Sequence, residues 1–152
     1  AAPGRSAQVL QLGPDTEVCG MAFSQSGKWL VAIGGDKSVH AWRLGGPGAV
    51  EGAGTKVAER KLSKKLTCVT TTSLPGGMVG SASASADQDV VLVGDKTGDL
   101  HCLSLPSLET CRKTFCGHTA SILTSVHVVS SATAQAGEAQ YVLTADRDEK
   151  VR

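Results

Sequence analysis

Three groups of residues have the types and spacing for chemistry. Asp95-Lys96-Thr97-Gly98 follows the order of a phosphorylated-aspartate nucleophile, the chemistry of ATP-driven cation pumping. Cys111, Cys116 and His118 offer thiolate and imidazole groups of the kind that hold zinc within one short stretch, CRKTFCGH. Lys56, Arg60, Lys61, Lys64 and Lys65 stand against Glu59 in KVAERKLSKK, a density of cations suited to displacing counterions from RNA phosphate.

The rest of the chain must position these groups, and its composition limits what they can be. Of 152 residues, 41% are apolar and 19% charged, which indicates a globular core rather than disorder. Eighteen glycines, with abundant Ala, Ser, Val and Thr, argue against long helices. The formal net charge of +1 supplies no global pull toward nucleic acid or membrane. No apolar run approaches the ~20 residues that cross a bilayer, which weighs against an ion pump. AAPGRSAQ at the N-terminus lacks the apolar stretch of a signal peptide. Five unevenly spaced cysteines fit reduced thiols of a cytosolic or nuclear protein.

Short β-patterned runs recur between Gly, Asp and Ser clusters. VCGMAFS (18–24), KWLVAIGG (28–35), VHAWRL (39–44) and KVAERKLS (56–63) make a first set of four strands. KLTCVTTTS (65–73), DVVLVG (89–94), DLHCLSL (99–105) and CRKTFCG (111–117) make a second. GHTASILTSVHVVS (117–130) and QYVLTA (140–145) open a third, which KVR continues. Matching turns at Asp36, Asp95 and Asp146 give a repeat of roughly fifty residues, above the ~40–45 of a four-stranded propeller blade. Loops at 45–55, 74–86 and 131–139 absorb the excess. The expected fold is all-β, a partial WD-repeat β-propeller with blades at about 1–64, 65–116 and a truncated 117–152. Asp36 precedes Trp42 by six residues, the WD-repeat spacing from turn to third strand, and Gly117-His118 stands where a blade histidine bonds the turn aspartate.

This framework decides the three chemistries. A phosphoaspartate needs the carboxyl end of a parallel strand with α/β crossovers. Asp95 instead starts a hairpin turn, and Asp99 stands where the pumps carry Thr. Cys111, Cys116 and His118 have no Cys-x-x-Cys knuckle or second cluster, so they read as strand thiols and a blade histidine. His40, His101 and His127 fall within strands. The 56–65 cluster, with no interleaved aromatics, reads first as an exposed outer strand whose lysines deter edge pairing. No cofactor or metal site and no catalytic constellation emerges. Asp36, Asp95, Asp146, Asp148 and His118 are expected to structure turns.

VLVGDKTGDLHCLSL, GHTASILTSVHVV and YVLTADRDEKVR, taken in order, resemble the WD-repeat non-catalytic subunits of tRNA (guanine-N7-)-methyltransferases. The resemblance spans residues 65–152; residues 1–64 match as a generic blade. It implies a scaffold that holds a separate SAM-dependent methyltransferase in a heterodimer, with nuclear residence. That enzyme methylates N7 of a guanine in the tRNA variable loop, and tRNA is engaged through the complex. SAM and the catalytic residues lie on the partner. By motif position the resemblance puts Lys96, Lys150 and Arg152 at the partner contact. Two departures stand out: Gly94, where the family more often has Ala, and the 131–139 insert. The chain starts without Met and stops inside a blade, so a fragment that does not scaffold by itself is expected. The alternative is a generic WD-repeat adaptor, as in ubiquitin-ligase or chromatin assemblies, with the charged turns purely structural.

Overall fold

The computed structural model describes residues 9–44, 54–74, 88–111, 115–129 and 141–152. Strands β1 (Val18–Phe23), β2 (Trp29–Gly34), β3 (Ser38–Arg43) and β4 (Thr55–Lys61) pair antiparallel in chain order. Strands β5 (Leu66–Leu74), β6 (Gln88–Asp95), β7 (Asp99–Ser104) and β8 (Phe115–Cys116) repeat that meander. Strands β9 (Leu123–Val129) and β10 (Tyr141–Asp146) begin a third sheet, and an Ala145–Val151 bridge starts its next strand. The 75–87 and 131–139 loops lie outside the described residues, as does most of 45–55.

The leading strands stack side by side, β1 on β5 and β5 on β9, as the inner strands of consecutive propeller blades do. Thr71 Oγ1 donates to the Phe23 carbonyl at 2.6 Å across the first of these seams. Gly20 lets the seam close, since a Cβ there would stand 3.2 Å from Val69 Cγ1.

The middle strand of the second sheet is buried on both faces, which explains why VVLV reads as a continuous apolar run rather than an alternating one. Val91 and Val93 join Val31, Ile33, Val39 and Ala41 of the first sheet in one core. Val90 and Leu92 turn the other way and pack with Leu123 and Val126 of the third. Each such side chain contributes about 1.5–3 kcal/mol when fully buried, so these two seams hold the blades together. The outward faces of the first and third sheets expose Met21, Phe23, Tyr141 and Leu143.

The fourth strand of the second sheet is described at Phe115–Cys116, which pair with Leu100 and Asp99; residues 112–114 of the run 111–117 lie outside the described residues. After β7 the chain curls back on itself, with Leu108 N bonding Ser104 O at 2.7 Å and Cys111 N bonding Cys102 O at 2.9 Å. Leu108 adopts a φ of 58° yet is wholly buried in the seam between the first two sheets. Arg60 is not an outward cation of the 56–65 cluster. Its Nη1 donates to the Leu108 carbonyl at 2.7 Å, tying β4 to the second blade.

Candidate functional site

The Asp turns place charge at fixed points. Asp95 Oδ1 accepts from the Thr97 and Asp99 amides at 2.8 and 3.1 Å and from Thr97 Oγ1 at 2.7 Å. Its Oδ2 lies 3.0 Å from His101 Nε2. Burial pushes this carboxyl upward, but the bonds from His101 and Thr97 and from the Thr97 and Asp99 amides outweigh it, so it titrates below the ordinary range. With no exposure and both oxygens bonded, Asp95 has no face open to a phosphoryl donor.

Asp146 repeats the pattern. Its Oδ1 accepts from the Asp148 and Lys150 amides at 2.9 and 3.0 Å. Its Oδ2 meets His118 Nδ1 at 2.7 Å, and His118 Nε2 meets Thr144 Oγ1 at 2.8 Å. Here too burial acts upward and is overcome, by the Lys150 amide, His118 and the Asp148 amide. Asp148 itself is exposed; its amide caps the turn while its carboxylate lies 3.5 Å from Arg147. Asp36 is the exposed member of the three. Bonding from the Ser38 hydroxyl lowers its carboxyl against a burial penalty, with help from Lys61 at 3.3 Å.

His40 and Trp42 sit on β3 with rings stacked 5.7 Å apart. His40 is buried, and that burial, with Lys56 nearby, lowers its pKa against the pull of Glu59.

Of the metal candidates, the Cys116 side chain lies outside the described residues. Both His118 nitrogens are engaged by Asp146 and Thr144, and burial raises the Cys111 thiol. Among the described residues no three His, Cys, Asp or Glu side chains converge. Cys102, beside Cys111, is pushed up to about 12 by burial, so these thiols stay protonated core groups.

The second and third blades meet at the turns. Gly98 has a φ of 94°, and a Cβ on it would stand 1.9 Å from the His118 carbonyl oxygen. The DKTGD turn is therefore pressed against the connector that enters the third blade. An apolar cavity of about 160 Å³ lies at this junction, walled by Gly98, Leu100, His118, Leu123 and Arg152. Arg152 exchanges backbone bonds with Thr144 at 2.8 and 2.9 Å. Lys96, Lys150 and Arg152 are exposed, and none pairs with a carboxylate among the described residues. Sequence reasoning had no signal for the Gly98–His118 approach, which depends on how two blades dock.

The family model for the WD domain, G-beta repeat, matches residues 5–43, the first blade through its Trp42 strand. The fold is a partial WD-repeat β-propeller. Over 96% of its length the chain superposes on 36% of a chain in a crystal structure of BBS1N in complex with ARL6DN, with a TM-score of 0.62 and 12% identity. It is also 38% identical over 68 residues to the mouse tRNA (guanine-N(7)-)-methyltransferase non-catalytic subunit WDR4. That stretch is 45% of this chain and 14% of the mouse protein, so the chain spans a minor part of both relatives.

Proposed function

We propose that this chain is part of a non-catalytic scaffold subunit that binds and stabilises the SAM-dependent methyltransferase forming N7-methylguanine in the tRNA variable loop. WD-repeat propellers serve as interaction platforms, and the likeness to the mouse subunit suggests which partner. The observation that carries the reading is the state of three cations. Lys96, Lys150 and Arg152 are exposed and unpaired among the described residues. Two of the turns beneath them are locked by buried carboxylates. Turns held this way present their charge to a partner's carboxylates with little ordering cost. On this reading cofactor and catalytic groups belong to the partner, and the complex works in the nucleus. The unpaired cations favour this reading over an adaptor in which the turns are purely structural.

The test is co-purification of the tagged full-length protein from native extract, scored for bound proteins and for N7-guanine methylation of tRNA. A methyltransferase in near-equal amount is expected, and Lys150→Glu with Arg152→Glu should lower its recovery at least about tenfold, as truncated interfacial charge pairs do. Recovery of ligase or chromatin components instead would make this a generic adaptor.

A further inference from the structure

The connector from β4 to β5 turns one hydroxyl to solvent, that of Ser63, within the run Arg60-Lys61-Leu62-Ser63-Lys64-Lys65. Ser63 and Lys64 form a bend outside either strand, and both are exposed. The Ser63 hydroxyl makes no hydrogen bond among the described residues. The bend is fixed on each side. The Leu62 amide donates to the Lys37 carbonyl and the Lys96 amide to the Lys65 carbonyl, both at 3.0 Å.

A serine set among cations is what a kinase with an acidic substrate groove selects, because charge pattern separates one substrate from another. Folding decides which of the cations can be read. Arg60, three positions before the serine, is half-buried and donates through Nη1 to the Leu108 carbonyl at 2.7 Å. Lys61, two before, pairs with Asp36 at 3.3 Å. Lys64 and Lys65, one and two after, are exposed and pair with no carboxylate among the described residues.

The surroundings also suit the product. Lys37 and Lys96 come from turns bonded to this connector, and they too are exposed and unpaired among the described residues. The turn carboxylates beside them are already taken up, Asp36 by Ser38 and Lys61, Asp95 by its own turn and His101. A phosphate among these lysines gains charge-assisted bonds instead of meeting repulsion.

We infer that Ser63 is the phosphoacceptor of a basophilic protein kinase that reads the lysines after it, and that its phosphate is held among Lys37, Lys64, Lys65 and Lys96. In the transfer Ser63 Oγ attacks the γ-phosphorus of ATP. The Oγ–P bond forms as the bond to the bridging oxygen breaks, ADP departs, and the hydroxyl proton passes to the kinase's catalytic carboxylate. The step puts about two negative charges where a neutral hydroxyl stood, and so cancels roughly half the charge of the four lysines. It stands independently of the proposed function.

The experiment incubates the full-length protein with ATP and one of two kinases. The catalytic domain of protein kinase C selects cations after the acceptor; cyclic-AMP-dependent protein kinase selects arginine before it. A peptide spanning 57–69 is the unfolded reference. The first kinase should place a phosphate on Ser63 of the native protein, mapped by mass spectrometry, and Lys64→Gln with Lys65→Gln should slow it about tenfold. The second should act on the peptide at least about tenfold faster than on the native protein, since Arg60 is free only there. By phosphorus NMR the native phosphoserine should take up its proton at about pH 5 rather than about 6, and Lys37→Gln should move it part of the way back. Phosphorylation of the peptide but not of the native protein would overturn the site. So would a Ser63→Ala variant that takes up as much phosphate as before. Equal rates of the second kinase on protein and peptide would overturn the choice of kinase class. A native phosphoserine that titrates as in the peptide would show that the lysines do not hold it.

Discussion

Asp95 and Asp146 close equivalent hairpins in neighbouring blades, and each does so with one oxygen on two amides. Their second oxygens differ. Asp95 reaches His101, six positions on within its own hairpin. Asp146 reaches His118, 28 positions back at the mouth of the blade, and His118 also holds Thr144. One turn is closed locally; the other ties the entry of a blade to its far end. The amide cap therefore follows from the local motif, whereas the histidine is recruited from wherever the chain offers one. Asp36 in the first blade meets no histidine directly; its carboxylate accepts from the Ser38 amide and hydroxyl, with Lys61 at 3.3 Å on the surface.

The largest effect expected from breaking this comparison is at Asp95. Replacing it with Ala strands the Thr97 and Asp99 amides and the His101 ring in a buried site. The loss should be about 3–5 kcal/mol in denaturant unfolding of the full-length protein. Asp36→Ala, at a surface pair, should cost less than about 1 kcal/mol. Equal losses would mean that burial does not separate the turns. Between the histidines, His118→Ala should destabilise more than His101→Ala, because it severs two long-range bonds.

A smaller contrast concerns the glycine before each turn. A Cβ on Gly94 would stand 2.5 Å from Cys68 Sγ and 2.9 Å from Leu123 Cδ1, whereas one on Gly35 would meet nothing closer than 3.5 Å. Gly94→Ala should therefore cost about 1–3 kcal/mol through overpacking, and Gly35→Ala should stay within about 0.5 kcal/mol. Calorimetric midpoints for both variants check this. The absence of a side chain at Gly94 lets β6 close onto β9.

The smallest expected effect is with pH. His40 and the turn aspartates all titrate lower when folded, so the unfolded chain binds more protons and acid destabilises. The His40 contribution is present above about pH 6.5 and is lost below it; that of the aspartates is present above about pH 3.9 and is lost below it. Thermal midpoints from pH 7.5 to 3 should show a shallow upper step that His40→Gln removes. A flat profile between pH 7 and 5 would show that His40 takes up its proton without leaving its place.

Much of the fold is legible in the residues. Turn aspartates, strand runs and the Asp36-to-Trp42 spacing are local features, encoded by backbone bonding and side-chain period within a few positions. The exposed cations of the candidate site can be found the same way, because DKTGD and ADRDEKVR are short, dense and polar. Leu108 and Arg60 could not be found so. LPSLE looks like a loop with no reason to bury its second leucine, and Arg60 is one cation among five in its segment.

By itself, then, the sequence determined an all-β chain of repeated four-strand units whose turns are built on aspartate, because those choices are settled by local bonding and alternation. Tertiary structure alone decided which face of β6 serves which blade, that Leu108 is buried between the first two sheets, and that Lys37 and Lys96 join Lys64 and Lys65 on one rim. Those pairings join segments far apart in the chain, and only the docking of one sheet against the next brings them within bonding distance.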